Sequence, residues 1–238
     1  MFETLSAIST LENSILAALP AEEYQRIASS LTLVSLDLGR VLYEPGDRVT
    51  QIYFPINSVV SMLSMMESGT TVEAGVVGNE GVVGISAILG AEVSTVQALV
   101  QVSGDALSIP AETLMAEFRR GGKLQSLILR HTHTLFTMVS QTAACNRLHT
   151  VEERLARWLL STRDRIESDE FLLTQEFIAR MLGTRRSGVT VAAGILQNAG
   201  LINYRRGRIN ILNREGLEEA SCECYRIVKE EYDRYLKA

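Results

Sequence analysis

The chain of 238 residues is poor in the residues that cross-link small domains or bind metals. It contains three cysteines and three histidines, and no histidine precedes position 131. Three cysteines without a Cys-x-x-Cys pair disfavour a disulfide framework, a four-thiolate zinc site and a four-cysteine iron–sulfur cluster. The length suffices for one large or two modest domains with cores of their own. We therefore expect no metal ligand and no cofactor.

Long apolar runs are also missing. No stretch approaches the roughly 20 residues that are needed to span a bilayer. The first 19 residues include Glu3 and Glu12 and no basic residue, which disfavours a signal peptide. We expect a cytoplasmic protein that makes no contact with a membrane.

Motifs of common enzymes are absent as well. The chain has no Walker loop, no GxSxG elbow and no HExxH helix. A metalloenzyme built in a small barrel would need two or three histidines on its strands. All three histidines, His131, His133 and His149, follow the strand-rich part of the chain. The sequence therefore predicts that the protein is not an enzyme.

Positive charge is concentrated in one segment of an acidic chain. The formal net charge is −5, but residues 174–214 carry seven arginines against the single acidic residue Glu176, a balance of +6. Residues 1–173 have a balance of −8 and residues 215–238 one of −3. A polyanion contact needs such a basic segment, because attraction to phosphate acts over about 8–10 Å. Charge alone also fits a solvated face with scattered arginines.

Short segments rich in Val, Ile, Thr and Ser alternate with turn residues between positions 31 and 110. We predict strands near 31–37, 40–44, 51–55, 58–65, 70–77, 94–102 and 105–109. Closely spaced short strands favour an antiparallel roll or barrel, and hence an α+β fold with the helices that follow. Short helices are expected beside the roll in the first thirty residues, where the apolar residues are Leu11, Ile15, Leu16, Leu19, Tyr24 and Ile27.

A long helix is predicted over 123–147, a stretch without glycine or proline. Residues spaced alternately by four and three form a stripe: Leu124, Ile128, His131, Leu135, Met138, Thr142 and Cys145. This 3.5-residue period is typical of a helix that packs on a partner helix or on the roll. The apolar face is widened by Leu127, Phe136, Val139 and Ala143. We expect a parallel homodimer along the stripe, while packing within one chain stays open. A second helix is expected from 151 to about 166, followed by a polar connection over 163–170.

A helix-turn-helix is predicted after that connection. Thr174 can cap a first helix that ends at Gly183, and Thr184 can cap a second helix over about 185–199. Its buried stripe is expected at Val189, Ala192, Ala193 and Leu196. The opposite face carries Arg185, Arg186, Ser187 and Thr190, at the end where such a helix meets base edges in the major groove.

A basic hairpin follows the second helix. Two apolar-alternating runs, 201–205 and 208–212, flank Arg206-Gly207, which suits a tight turn. Such a hairpin forms a wing that brings positive charge to a phosphate backbone. The predicted DNA-binding residues are Thr174, Thr184, Arg185, Arg186, Ser187, Thr190, Arg205, Arg206 and Arg208.

Residues 174–190, which read TQEFIARMLGTRRSGVT, resemble the winged helix-turn-helix of the cyclic-AMP receptor and fumarate–nitrate regulator (Crp/Fnr) family of bacterial transcription regulators. In the strand-rich part, LGRVL at 38–42, PGD at 45–47 and IYF at 52–54 are similar to the opening of a cyclic-nucleotide-binding domain. The resemblance implies a β-roll sensor domain over 1–122, a dimerisation helix over 123–147 and a winged helix-turn-helix domain over 148–238. It also implies a homodimer on a pseudo-palindromic operator, with double-stranded DNA, RNA polymerase and an unknown small-molecule effector as partners.

The roll departs from the pattern of nucleotide-binding relatives. Those proteins carry a glycine–glutamate pair for the ribose and an arginine followed by Ser or Thr for the cyclic phosphate. Here 78–84 reads GNEGVVG, so that Glu80 matches while its neighbours differ, and Ser94 stands where the arginine is expected, before Thr95. A phosphodiester anion would lack its strongest partner. We therefore predict a degenerate cassette that does not bind cyclic nucleotide.

Other functions stay open at this stage. A possible effector pocket comprises Glu80, Ser94, Thr95 and His131. On a dimer seam, His131 of two chains would approach each other and respond to pH, metal or haem. Cys145 or the pair Cys222 and Cys224 can form a thiol switch, but the two C-terminal cysteines are too few for a zinc site without help from elsewhere. The alternatives to a DNA-binding regulator are a ligand-sensing or protein-interaction module without DNA binding and a true cyclic-nucleotide-responsive regulator.

Overall fold

The structure, a computed structural model of the chain, describes residues 13–166 and 168–237. It divides into two compact units. The first comprises the chain up to Met62, Val76–Phe136 and the residues from Tyr232 onward, and the second comprises Leu63–Gly75 and Thr137–Glu231. Leu11, expected in a helix, lies outside the described residues. Within the described ranges no helix has the length and apolar character to cross a bilayer.

The strand-rich part forms an antiparallel roll of two sheets. Its elements are α1 (Ser14–Ala17), α2 (Ala21–Ala28), β1 (Thr32–Leu36), β2 (Val41–Tyr43), β3 (Gln51–Pro55), β4 (Val59–Met65), β5 (Thr71–Val77), α3 (Ile85–Ile88), β6 (Gln97–Val102), β7 (Gly104–Pro110) and α4 (Ala111–Arg120). The strand orders are β1-β7-β3 and β2-β6-β4-β5. All seven predicted strands are confirmed. Alternate residues of β3, such as Ile52 and Phe54, are fully buried, as are Leu36 on β1 and Ile109 on β7.

The long helix α5 spans Lys123–Leu148, as predicted. Its first turn is capped by Glu23, whose two carboxylate oxygens each accept a hydrogen bond at 2.9 Å from the backbone N–H groups of Lys123 and Leu124. These two bonds hold the pKa of Glu23 below its usual value. The loop before α5 is thereby tied to α2, and the helix begins where the sequence indicates.

The residues that share a face of α5 were predicted correctly, and of the two surroundings left open for them the structure shows packing within one chain. All seven residues of the 3.5-residue stripe, His131 among them, are buried within the single chain. The side of the helix left exposed carries Phe136 at 71% exposure, Leu129 at 49% and Val139 at 39%. The expectation that the stripe itself faces a second chain is therefore wrong. A period of 3.5 shows which residues lie together and does not show what covers them.

The second unit contains a winged helix-turn-helix. Its remaining elements are α6 (Val151–Ile166), β8 (Glu170–Leu172), α7 (Gln175–Leu182), α8 (Arg186–Asn198), β9 (Ile202–Arg205), β10 (Arg208–Ile211), α9 (Arg214–Ala220) and α10, which begins here and spans Cys224–Lys237. The sheet order is β8-β10-β9. Strand β8 was not predicted, because only Phe171 of its three residues is buried and so short a strand shows no alternation. The polar connection is correspondingly shorter than expected.

Candidate nucleic-acid interface

The turn between α7 and α8 forms as the sequence predicts, with one correction. The Thr174 hydroxyl oxygen accepts a hydrogen bond from the N–H of Phe177 at 3.1 Å, and Gly183 adopts a left-handed conformation with φ of 57°. The N–H of Thr184 donates to the carbonyl oxygen of Ala179 at 3.0 Å, which closes α7. The cap position of α8 falls on Arg185, and no side-chain hydrogen bond caps the helix, so the prediction that Thr184 caps α8 is wrong.

The buried face of α8 is the predicted one. Val189, Ala192, Ala193 and Leu196 are all buried, and so is Ala179 on α7. The small side chains at 179, 192 and 193 let the two helices approach closely. The opposite face of α8 is consequently presented to solvent.

That opposite face carries the predicted DNA-binding residues. Arg185, Arg186, Ser187 and Thr190 are all exposed. No hydrogen bond or ion pair in the described part of the chain holds the guanidinium groups of Arg185 and Arg186. Thr190 Oγ1 lies 2.8 Å from Gln175 Oε1 and 3.1 Å from the carbonyl oxygen of Arg186, so it links the first turns of α7 and α8. Two cations are thus available at the N-terminal end of α8.

The wing is a tight hairpin with arginine at its tip. Arg205 pairs with Arg208, and the two residues between them, Arg206 and Gly207, have φ of 53° and 80°. Positive φ at both central positions is the signature of a type I′ turn, whose twist matches that of the strands. Arg205 and Arg206 are exposed, whereas Arg208 Nη1 lies 3.5 Å from a carboxylate oxygen of Glu170 on β8. The charge of Arg208 is therefore partly compensated.

Tyr204 fixes the wing against the helix-turn-helix. Its N–H donates to Gln197 Oε1 at 2.8 Å, and its hydroxyl donates to the carbonyl oxygen of Leu173 at 2.7 Å. Burial raises the pKa of Tyr204 to about 12, with the charge of Arg186 acting in the opposite direction, so the hydroxyl remains a donor at neutral pH. Sequence reasoning missed this role. The alternation of Ile202 and Tyr204 marks the strand without revealing the partners.

The hairpin between β4 and β5 borders the N-terminal end of α8. A cleft of about 840 Å³ is lined by Gly69, Thr70 and Thr71 and by residues of α7, the turn and α8 that include Arg180, Arg185 and Arg186. A Cβ atom at Gly183 would lie 2.9 Å from Val72 Cγ2. Trp158 Nε1 also donates to Glu73 Oε1 at 3.0 Å. The arginines that we predict to read DNA thus share a cleft with this hairpin.

Two of the four predicted effector-pocket residues, Glu80 of the roll and His131 of α5, bond to the same segment of the roll, residues 78–82. The buried carboxylate of Glu80 accepts hydrogen bonds from the N–H of Gly78 at 3.1 and 3.2 Å. His131 is fully buried, with Nε2 at 3.3 Å from the backbone of Val82, and its ring centroid lies 6.0 Å from that of Tyr235. The idea that His131 lies on a dimer seam is therefore wrong, because the stripe of α5 that carries it is buried within the chain.

The other two residues lie on a different turn. The Ser94 hydroxyl donates to the carbonyl oxygen of Val96 at 2.7 Å, and the backbone of Ser94 pairs with Gly46 and Asp47 at 2.8 Å. Thr95 is exposed. Ser94 thus closes a loop of the roll, and its hydrogen bonds are directed to that loop.

A roll of antiparallel strands, a long helix and a winged helix-turn-helix define a DNA-binding regulator with a sensor domain. Residues 33–120 match the cyclic nucleotide-binding domain, and residues 153–220 match the Crp-like helix-turn-helix domain. The chain belongs to the Crp/Fnr family of transcription regulators. No curated protein was found to match its sequence.

Solved structures of regulators share this fold. A regulator assigned to the Crp/Fnr family from Eubacterium rectale matches with a TM-score of 0.69 at 19% identity, over 87% of this chain and 96% of that one. FixK2 from Bradyrhizobium japonicum matches with 0.69 at 15% identity, over 81% and 98%. The c-di-GMP responsive regulator CLP from Xanthomonas campestris matches with 0.67 at 17% identity, over 81% and 99%.

Proposed function

We propose that this transcription regulator acts as a homodimer on a pseudo-palindromic operator, with α8 in the major groove and the wing on the phosphate backbone. The observation that carries the proposal is the pair of exposed guanidinium groups of Arg185 and Arg186 at the N-terminal end of α8. This is the end of a recognition helix that contacts base edges. With DNA as its partner, we expect the protein in the cytoplasm, and we expect RNA polymerase as a further partner.

The exposed residues of α8 divide into two chemical groups. Arg186 can donate two hydrogen bonds to O6 and N7 of guanine, and Arg185, Ser187 and Thr190 can reach phosphate or a base edge. Val191, which is not among the predicted DNA-binding residues, is 64% exposed on the same helix. An apolar side chain there fits the methyl group of thymine. The sequence indicates this role of Val191 because the residue is apolar but lies outside the buried stripe of α8.

The remaining predicted residues fit backbone contacts. Thr174 lies at the N-terminus of α7, where phosphate is attracted to free N–H groups, and Thr184 lies in the turn. Arg205 and Arg206 carry the positive charge of the wing tip. We expect Arg208 to contribute less, because Glu170 competes for its charge.

The exposed face of α5 supplies the dimer contact in this proposal. Leu129, Phe136, Val139 and Ala143 recur at intervals of seven, three and four residues and are exposed. A parallel pair of α5 helices would cover them, since apolar stripes of this length are rarely left in water. The two-fold axis then sets two half-sites about one turn of DNA apart.

The sensor in this proposal comprises residues 1–122 and acts through α5, 123–147, on the DNA-binding domain, 148–238. Its effector is a small molecule other than a cyclic nucleotide. Support comes from Glu80 and Ser94, whose side chains bond to their own loops, and from serine at the position where an arginine is expected. Binding energy at the roll would shift the population of DNA-binding conformations.

The test is selection of duplexes from a random DNA pool by the purified full-length protein at fixed salt, with and without cyclic AMP. We expect an enriched inverted repeat that the nucleotide does not change. Enrichment only with cyclic AMP would refute the interpretation of Ser94. Failure to enrich any duplex in either condition would contradict the DNA-binding proposal for the protein as isolated.

Arginine variants then separate specific from general contacts on the selected operator. Arg186→Ala should cost about 1–3 kcal/mol and relax preference at one base position. Arg206→Ala should weaken operator and random duplex more equally. Arg226→Ala is the control, since Arg226 is an exposed arginine on α10 outside the basic segment. Equal affinities for all three variants would refute this docking.

A further inference from the structure

Four side chains with metal-binding atoms converge in the second unit. Cys145 and His149 are one helical turn apart at the C-terminal end of α5, and Cys222 and Cys224 flank the start of α10. The three sulfur atoms and one imidazole nitrogen all lie within 4.8 Å of one another. All three cysteines are buried, with free thiols, and the histidine is partly buried.

The spacing is that of a tetrahedral site. Zn–S bonds of about 2.3 Å and a Zn–N bond of about 2.0 Å place neighbouring ligand atoms about 3.6–3.8 Å apart in a tetrahedron. Cys145 Sγ lies 3.4 Å from Cys222 Sγ, and Cys224 Sγ lies 3.7 Å from His149 Nδ1. Only small side-chain movements separate this arrangement from full coordination.

The orientation of His149 is already set for a metal. Its Nε2 lies 3.2 Å from a carboxylate oxygen of Glu223, while Nδ1 faces the sulfur of Cys224. A hydrogen bond from Nε2 to a carboxylate fixes the tautomer that leaves Nδ1 with its lone pair. Most metal-binding histidines are held by an outer partner of this kind.

Positive charge near the sulfurs favours thiolates. Arg157 is 8% exposed, and its Nε has no hydrogen-bond partner in the described part of the chain. Arg157 interacts with the Cys145 sulfur. A buried cation beside the cluster would offset part of the negative charge of three thiolates.

We propose that Cys145, His149, Cys222 and Cys224 form a Cys₃His site for a zinc ion. Three thiolates and an imidazole suit zinc better than the hard cations that prefer oxygen ligands. The site is closed, because all four positions are filled by protein, so its role is structural. It joins the end of α5 to the connection between α9 and α10, across 77 residues of chain. Because Cys145 and His149 are so far from Cys222 and Cys224 in the sequence, the sequence alone showed only two neighbouring cysteines, too few for a zinc site.

The test begins with the full-length protein purified under reducing conditions, without chelator, from zinc-supplemented medium. We expect about one zinc ion per chain by elemental analysis, and zinc should protect the three thiols from alkylation. Cobalt added to the chelated protein should give the intense thiolate charge-transfer and tetrahedral ligand-field absorption of a sulfur-rich site. These two measurements need no variant and do not depend on DNA binding.

Variants identify the ligands. Cys145→Ser, Cys222→Ser, Cys224→Ser and His149→Ala should each lose most of the bound zinc and weaken or shift the cobalt spectrum. His133→Ala is the matched control, an exposed histidine on the same helix that should keep the metal. If a variant fails to fold, added zinc should still raise the Tm of the chelated wild-type protein.

Three results would overturn the assignment. The first is wild-type protein that holds less than about a tenth of a zinc ion per chain and gives no cobalt spectrum. The second is zinc loading that survives Cys224→Ser and His149→Ala. The third is a Cys145–Cys222 disulfide or an iron–sulfur chromophore in the freshly isolated protein, which would assign the cluster to redox chemistry.

Discussion

The wing and recognition helix differ from the roll in what holds their polar side chains. Arg185, Arg186 and Arg206 are exposed on α8 and the wing tip. Glu80 and Ser94 are buried in the roll, with hydrogen bonds to their own loops. A polar side chain that binds another molecule must remain exposed to solvent. A polar side chain of the sensor domain can instead be buried and hydrogen-bonded within its own loop. Sequence similarity at a site is therefore more informative in the first region than in the second.

The strongest test of this difference adds one methyl group to each region. In Gly81→Ala the new Cβ would overlap with Cε1 of the fully buried His131, whereas a Cβ at Gly194 on α8 meets nothing within 4 Å. We expect Gly81→Ala to lower the free energy of unfolding by about 1–3 kcal/mol. Gly194→Ala should raise it by up to about 1 kcal/mol, through helix propensity. Urea denaturation measures both, and a harmless Gly81→Ala would show that the His131 packing is loose.

The wing tip permits a test in which stability and affinity move in opposite directions. Arg206 has a φ of 53°, which costs a side-chain-bearing residue about 1 kcal/mol that glycine avoids. Arg206→Gly should therefore stabilise the fold by up to about 1 kcal/mol and reduce the salt dependence of duplex binding by about one contact. Thermal denaturation and a salt titration of DNA binding measure the two effects. Asparagine also tolerates a positive φ, so Arg206→Asn should lose the phosphate contact with little change in stability. If the salt dependence of duplex binding is unchanged in both Arg206→Gly and Arg206→Asn, the wing does not contact DNA.

A third test concerns Glu23, whose carboxylate caps the first turn of α5. The pKa of Glu23 is lowered by two backbone hydrogen bonds, so its stabilisation is complete above its ordinary pKa of 4.5 and is lost as pH falls through the lowered value. Glu23→Gln should cost about 0.5–1 kcal/mol at neutral pH and progressively less in acid. Urea midpoints at several pH values check this, with Glu22→Gln on the exposed side of α2 as control. A cost that does not vary with pH would show that the charge of Glu23 is not involved.

The smallest expected effect is that of cyclic AMP on the sensor. The roll carries Ser94 in place of a phosphate-binding arginine, and Glu80 is engaged with Gly78. We expect millimolar cyclic AMP to leave the Tm of the protein unchanged, since a ligand that does not bind the folded state cannot stabilise it. A rise in Tm that saturates with nucleotide would contradict this and restore a cyclic-nucleotide function.

Local signals in the sequence identified most elements of the fold and of the DNA-binding face. Turn residues bounded every strand of the roll, and Gly183 fixed the end of α7 by its left-handed conformation. Packing across long separations was not visible: the stripe of α5 did not decide between a second chain and the chain itself as its cover. Cys145 and Cys222 are 77 residues apart, so only the folded chain brings them together. A metal site whose ligands are far apart in the sequence leaves no periodic pattern or short motif from which it could be predicted.

The two hydrogen bonds of Tyr204 have a consequence for the thermodynamics of operator binding. They join the wing to α8 and to the segment before α7, so the three parts dock as one preformed surface. A surface that is ordered beforehand loses little conformational entropy on association. Affinity then reflects direct contacts and electrostatic attraction, and the association rate should fall steeply as salt screens the arginines.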